Sequence, residues 1–263
     1  MTVYVAVFRA RFNTLLQYRA AALAGFCTQV FWGLIRVMIF DAFFRSTTAP
    51  MPMGYEQTVT YLWLIQAMLM ILPWRIDAEI QAMIRDGTLA YELVRPTDLY
   101  WLWYARSVAA RTAPLMLRAI PMFVLAGLFL GLQPPASPAA ATAWLFSMGA
   151  AVLLASAITS LMVISLLWTI AGDGISRLVA IIATLLSGSI IPLPFFPDWT
   201  QGVLNALPFR GLMDIPFRLY MGHLPVGEAV SLLAHQLGWT AALILLGRWV
   251  LGRGLRHLVI QGG

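Results

Sequence analysis

Long apolar segments dominate the chain and alternate with short polar ones. A helix that crosses a membrane needs roughly 20 apolar residues, and most of these segments reach that length. Since the chain is 60% hydrophobic and only 11% charged, against about 25% charged in soluble domains, most of it is expected to lie in lipid. We predict an all-α integral membrane protein with one domain over residues 1–263. Its six predicted transmembrane helices cover about residues 20–44, 58–74, 99–132, 139–171, 178–191 and 229–250.

The first residues carry a different pattern, with two faces. Within 3–19, Val5, Phe8 and Phe12 recur on one side, and Arg9 and Asn13 lie on the other. This spacing predicts an amphipathic helix in the membrane interface, with its basic face toward anionic headgroups. The alternative is a frayed beginning of the first transmembrane helix.

The most charged window is residues 75–96, RIDAEIQAMIRDGTLAYELVRP, between the second and third apolar segments. Asp77, Gln81 and Arg85 fall four residues apart on one side, and apolar residues recur on another. We predict an amphipathic helix of about three turns that ends at Gly87. Because exposed charges between two transmembrane helices need a partner, we hypothesise that this helix couples a membrane channel to a separate motor protein. The alternative is a solvated loop face.

A proline-rich stretch, 193–222, precedes the last apolar segment. Asp198 is predicted to be the N-cap of a short helix that ends near Pro208, and a second short helix is predicted from Gly211 to Tyr220. Neither is long enough to cross a bilayer. We expect re-entrant or outer-surface helices that cover the mouth of the bundle.

Two apolar segments contain unexpected polar residues. In the first, Asp41 and Arg45 are spaced as an ion pair, and Arg36 is expected either to pair structurally or to face a substrate path. In the third, polar and proline residues recur every three or four positions and predict a polar, kinked stripe along its inner half. The stripe comprises Tyr104, Ser107, Arg111, Pro114, Arg118 and Pro121.

The basic residues give the orientation, since cytoplasmic segments are enriched in arginine and lysine. The chain has no lysine, so its net charge of +6 comes from arginine alone and marks cytoplasmic helix ends rather than a nucleic-acid surface. Both termini are therefore expected in the cytoplasm. Thirteen arginines then lie inside: Arg9, Arg11, Arg19, Arg75, Arg85, Arg95, Arg106, Arg111, Arg118, Arg177, Arg248, Arg253 and Arg256. The outer arginines are Arg45, Arg210 and Arg218.

Candidate catalytic chemistry is sparse. Without lysine the chain lacks the phosphate-binding lysine of P-loop hydrolases, so we do not expect it to hydrolyse ATP alone. Cys27 is its only cysteine, and the three histidines are scattered, so we expect no metal site. No Ser-His-Asp spacing or pair of carboxylates is evident, and we expect a non-catalytic protein.

Two stretches carry a family resemblance. Residues 80–96 resemble the first cytoplasmic loop of the permease subunits of ABC transporters of the second exporter type, and residues 195–210 resemble that family's outer segment before the last transmembrane helix. The resemblance implies two permease subunits, identical or related, with two P-loop ATPase subunits in a bacterial inner membrane. ATP and magnesium would bind the ATPase, and this chain would bind no cofactor.

The resemblance also implies roles for particular residues. The loop helix would dock into a groove of the ATPase, whose closure on ATP would move the membrane helices and push substrate outward. The implied coupling residues are Glu79, Ile80, Met83, Ile84, Arg85, Asp86, Gly87, Tyr91, Glu92 and Arg95. The implied outer gate is Phe195, Phe196 and Trp199, for which membrane-interface anchoring is the alternative.

A substrate path is expected among aromatic, methionine and arginine side chains, which suit a hydrophobic or amphipathic cargo. Its candidates are Trp32, Arg36, Trp63 and Met68, although such residues also pack commonly against other helices or lipid. A secondary transporter or channel without an ATPase is the alternative function, and it would need ionisable residues central in several transmembrane helices. A membrane enzyme that acts on lipids would need clustered His, Asp or Glu.

Overall fold

The computed structural model of the chain describes residues 2–169 and 173–256, and every regular element in these ranges is helical. The prediction of an all-α protein is confirmed. Short 3-10 turns at Leu69–Ile71, Leu193–Phe195, Pro208–Gly211 and Val226–Glu228 join some of the helices. The α-helices are α1 Thr2–Leu16, α2 Arg19–Ser46, α3 Tyr55–Met68, α4 Ala78–Arg85, α5 Ala90–Leu93, α6 Leu99–Phe129, α7 Pro138–Ser165, α8 Asp173–Leu186, α9 Asp198–Ala206, α10 Asp214–Tyr220 and α11 Ala229–Arg256.

Four helical segments within the described ranges are long and apolar enough to cross a membrane: Arg19–Ser46, Leu99–Phe129, Pro138–Ser165 and Val226–Arg256. They correspond to the predicted first, third, fourth and sixth transmembrane helices. The predicted second and fifth ones are α3 and α8, which have 14 residues each and are shorter than the roughly 20 residues that a span requires.

Hydrogen bonds and ion pairs define two ends of the helix bundle. At one end, Arg248 of α11 pairs with Asp98 at 3.0 Å, and the Asp98 N–H donates to the hydroxyl of Tyr4 in α1. At the other end, the Tyr220 hydroxyl donates to the Gln133 carbonyl, and the Gln133 N–H donates to Thr60. Helices α2 and α6 therefore run toward the second end, and α3, α7 and α11 run back.

Helix α3 lies at the centre of the bundle. All residues from 58 to 68 are buried, as expected for a helix that is apolar on every side. Neighbouring helices α2 and α6 pack along it, and Gly33 of α2 leaves room for the ring of Trp63. The short length of α3 is compatible with its position because other helices, rather than lipid, surround it.

The segment between α8 and α11 forms short helices at the second end of the bundle, as the prolines predicted. Helix α9 begins at Asp198 itself, and its N-cap is Pro197. The predicted N-cap role of Asp198 is therefore wrong by one position, because the preceding proline has an extended ψ of 147° and no side-chain cap forms. The predicted second helix is divided into a 3-10 turn and α10.

Candidate functional site

The predicted coupling helix is present as α4, but it is shorter than expected. It has eight residues and begins after Asp77, whose carboxylate accepts from the Glu79 N–H at 3.0 Å as an N-cap. Gly87 has a φ of +72°, the left-handed conformation that glycine adopts at little cost after a helix end. Because the chain is extended before Asp77, the helix makes about two turns rather than three.

The apolar face of α4 packs against its own chain. Ile80 is 1% exposed and lies in a buried cluster with Leu89, Leu99 and Trp103 from the neighbouring loop and from α6. Met83 and Ile84 are partly buried against the same cluster. These three predicted coupling residues therefore fix α4 to the bundle. Glu92 is also partly buried and pairs with Arg95 at 3.4 Å.

Four charged residues, Arg11, Asp77, Glu79 and Arg106, form an ion network that joins α1, the beginning of α4 and α6. Arg11 is 2.5 Å from Glu79 and 3.5 Å from Asp77, and the Arg106 Nε donates to Asp77 at 3.0 Å. Arg106 also pairs with Glu79. Glu79, predicted to contact the ATPase, is thus held by its own chain, although 57% of its side chain is exposed.

The ion network lowers the pKa of Glu79. The hydrogen bond from Arg11 is the main cause, partial burial opposes it, and Arg106 adds to it. Because the pKa is lowered, the ionised Glu79 stabilises the folded chain fully at pH values above the ordinary glutamate pKa of about 4.3. This contribution is lost as the pH falls through the pKa of the folded state. Glu79 is therefore charged at neutral pH.

Four of the remaining predicted coupling residues are exposed, namely Arg85, Asp86, Tyr91 and Arg95. Together with Val94 we call them the loop surface. Tyr91 is 75% exposed and Val94 is 84% exposed. The three charged residues are exposed around them. Val94 was not among the predicted residues, but its position in the same charged window could have indicated it. An aromatic and an aliphatic side chain within a charged rim is the usual composition of a protein-binding surface.

A cavity of about 660 Å³ opens beside the ion network. Its walls come from α1, α2, the 69–80 segment, α6 and α7, and they include Ser107, Arg111, Pro114 and Arg118 of the predicted polar stripe. Tyr104 and Pro121 of that stripe do not line it. Its charged lining comprises Arg11, Arg75, Arg111, Arg118 and Asp77.

Arg111 is buried and held by neutral oxygens. It donates to the carbonyls of Ile71 and Ser107, to the Ser107 hydroxyl at 2.7 Å and to the Thr159 hydroxyl. The guanidinium of Arg118 lies against Gly25 of α2, where a Cβ would be 2.3 Å from its Cζ. Among the residues that the structure describes, no carboxylate pairs with Arg75, Arg111 or Arg118.

None of the four residues predicted for the substrate path lines this cavity. Trp63 and Met68 are buried in the core, and Trp32 is 53% exposed on the outside of α2. Arg36 donates from Nη1 to the carbonyl of Ser189 at 2.5 Å. This bond satisfies a backbone carbonyl just after α8 ends. Of the two alternatives considered for Arg36, it corresponds to the structural one rather than to a residue of the substrate path.

The packing of Trp63 gives a testable prediction. A Cβ at Gly33 would lie 2.4 Å from Cζ3 of Trp63, so Gly33→Val must displace a buried ring. We expect a loss of about 1–3 kcal/mol in stability, measured as a lower apparent melting temperature of the purified protein. Gly127→Ala is the control because its Cβ meets nothing within 4 Å. Equal melting temperatures for both variants would contradict this packing.

The three predicted gate residues have different surroundings. Phe195 packs edge-on against Phe40 of α2 with ring centroids 5.9 Å apart, and Phe196 is partly buried. Trp199 is 84% exposed. The structure therefore brings only Phe195 against the bundle and does not assemble the three aromatic rings into one packed lid.

Sequence reasoning missed two polar groups. Gln29 is 3% exposed, lines the cavity and has no hydrogen-bond partner for either side-chain amide atom. Asp214 is fully buried between Arg210 at 3.7 Å and Arg218 at 3.5 Å. Arg210 and Arg218 each lie four positions from Asp214, and this spacing could have predicted the ion pairs. Nothing in the sequence around Gln29 distinguishes it.

No group of three or more His, Cys, Asp or Glu residues suited to a metal ion occurs within 2–169 and 173–256. His257 lies outside the described residues. Comparison with known proteins gives one family: a model described as ABC-2 family transporter protein matches residues 30–262. A search of curated proteins found no match, and neither did a search of solved structures.

Proposed function

This chain belongs to the ABC-2 family of transporter proteins, and we propose that it is the membrane-spanning subunit of an ATP-driven exporter. It forms the substrate path, and a separate P-loop ATPase docks on the loop surface. ATP and magnesium bind that ATPase, and this chain contributes no catalytic residue. The observation that carries the proposal is the loop surface itself, because Tyr91 and Val94 are highly exposed on a loop that is attached to the bundle by the buried side chains of Ile80 and Leu89.

Coupling between the ATPase and the membrane helices follows from how α4 is attached. A force on the loop surface moves α4, whose beginning is joined through Asp77 and Glu79 to Arg11 and Arg106. Arg11 and Asp77 also line the cavity. Motion of the loop is therefore transmitted to α1, to α6 and to the cavity wall between them.

The proposed topology has six transmembrane helices and both termini in the cytoplasm of a bacterial cell. Helix α3 with its following 3-10 turn is about 27 Å long, close to the roughly 30 Å of a bilayer core. Helix α8, which also has 14 residues, spans with the help of the turn after it, which Arg36 supports. The orientation rests on the arginines, most of which belong to the end that carries α4.

A second permease subunit, either identical or related, and membrane lipid cover the outside of the bundle. Large apolar side chains are exposed along α2, α6 and α11, including Phe31, Ile120 and Trp249. Apolar surface of this extent is unfavourable in water. The cargo is hydrophobic or amphipathic, because apolar side chains and arginines share the cavity wall.

Co-purification tests the proposal. The tagged chain, extracted in mild detergent, is expected to bring a soluble P-loop ATPase in an equal amount, identified by mass spectrometry. Replacing Tyr91 and Val94 together by serine is expected to weaken this association by about thirtyfold or more, because exposed apolar anchors dominate such interfaces. Tyr55→Ser with Val226→Ser is the matched control, since both residues are exposed at the other end.

Recovery of the chain alone, or only with copies of itself, would contradict ATPase coupling and favour a secondary transporter driven by an ion gradient. Loss of the ATPase in both double variants would indicate general damage to the fold. If both double variants still bring the ATPase, the loop surface is not part of the interface with it.

A further inference from the structure

We propose that the cavity beside the ion network binds the anionic head of an amphipathic molecule. Arg75, Arg111 and Arg118 bind the head, and Gln29 adds a hydrogen bond. The ligand class is an amphiphile with a phosphate, sulfate or carboxylate head. This inference deepens the proposed function and rests on it only for the claim that the bound molecule is exported.

The charges in the cavity are not balanced by the protein. Among the described residues that line it, Asp77 is the only acidic one, and it is already shared between Arg11 and Arg106. Arg75 and Arg118 line the same cavity, and Arg118 is partly buried there. Because unpaired charges inside a membrane protein are costly, they mark functional sites that hold a counter-charge. An anionic ligand supplies that counter-charge.

Unpartnered polar atoms point to the same ligand. Both amide atoms of Gln29 lack a partner although the residue is 3% exposed, and the Nε atoms of Arg11 and Arg118 are buried without one. Buried polar groups are nearly always hydrogen-bonded. Three of these four atoms are donors, which is the set that an oxyanion requires.

The rest of the wall is apolar and suits a hydrocarbon chain. It includes Leu15, Leu72, Trp103 and Val163, together with Pro114 in the middle of α6. The volume of about 660 Å³ lies within the roughly 300–1,000 Å³ that small-molecule sites occupy. A small inorganic anion would leave most of this volume unfilled.

Binding is tested on the full chain in phosphatidylcholine nanodiscs, without any ATPase. The probe is radiolabelled dodecyl phosphate, with protein-free discs as the background. We expect the probe to bind saturably. Inorganic phosphate and dodecyltrimethylammonium should each displace it only weakly. Arg118→Gln is expected to weaken it by about tenfold or more, since a charged hydrogen bond is removed. Arg45→Gln, outside the cavity and paired with Asp41, is the matched control.

Equal binding in Arg118→Gln and the unmodified chain, or equal competition by the cationic amphiphile, would overturn the proposal. If Arg118→Gln does not fold, two other variants test the site. Arg118→Lys keeps the positive charge and is expected to retain binding of the probe. Gln29→Glu adds a negative charge beside the head and is expected to weaken binding. Unchanged binding in Gln29→Glu would also overturn the proposal. Competition from inorganic phosphate as strong as that from unlabelled dodecyl phosphate would contradict the amphipathic part.

The same assay distinguishes two sources of the ligand. If discs that contain phosphatidylglycerol block the probe, the anionic head belongs to a membrane phospholipid; if they do not, it belongs to a single-chain cargo. Either outcome requires the anionic site. If the unmodified chain does not bind the probe but does co-purify with an ATPase, the anionic site is refuted and the exporter function is retained. The two results are independent because the binding assay contains no ATPase.

Discussion

Replacing Asp77 by Asn together with Glu79 by Gln is expected to leave the ATPase bound but to reduce transport per ATP hydrolysed by about tenfold or more. The two carboxylates are the charged connection between α4 and the arginines of α1 and α6. Without them, movement of the loop is no longer transmitted to the cavity wall. ATP hydrolysis and transport are measured on the same proteoliposomes, and their ratio gives the coupling.

The matched control is Asp41→Asn, which removes a carboxylate that pairs with Arg45 at 2.9 Å on α2, outside the loop and the ion network. This variant is expected to keep the ratio of transport to hydrolysis. An unchanged ratio in Asp77→Asn with Glu79→Gln would show that coupling uses another route. A loss of ATPase binding instead would place the carboxylates at the interface with the motor.

Ile80→Asp is expected to produce the largest loss of stability, with the protein failing to accumulate in the membrane. Ile80 is 1% exposed among Leu89, Leu99 and Trp103, and an unpaired charge there costs several kcal/mol or more. Ile80→Val should cost only about 0.5–1.5 kcal/mol. Thr88→Ala, at an exposed position of the same loop, should be close to neutral. The amount of each variant in the membrane, and the apparent melting temperatures of the variants that can be purified, check this order.

The same series separates the two roles considered for Ile80. If the residue contacts the ATPase, Ile80→Asp should fold normally and lose only the partner. If it belongs to the core of its own chain, the melting temperature should fall before any partner is added. Normal stability of Ile80→Asp would therefore contradict the packing of α4 described above.

Elements with strong local signals could be predicted closely. The most charged window ends at Pro96, and α6 begins after Asp98, whose carboxylate accepts from the Trp101 N–H as the N-cap. Gly87 adopts the predicted left-handed conformation. The Asp41–Arg45 pair forms at 2.9 Å because both residues lie on one helix at a fixed spacing. Each of these features depends on residues within one or two helical turns.

The polar stripe on α6 was predicted from spacing alone, but its surroundings were not. The sequence placed Arg111 and Arg118 on one side of a helix, whereas the cavity that they line needs α2 and α7 as well. The opposite happened with Trp63 and Met68, which suited a substrate path by residue type and proved to be core residues. The type of an apolar residue does not show whether it lines a cavity or packs in the hydrophobic core, because apolar residues occur in both places.

By itself the sequence determined the lipid environment, the helical class and the charged loop, since hydropathy and periodicity are local properties. The tertiary structure decided which distant groups meet. Arg11 and Asp77 are separated by 66 positions, yet they form one network, and Gln29 faces the cavity only because α2 packs beside α6. Such encounters depend on how helices pack across the whole bundle, and no spacing along the chain specifies them.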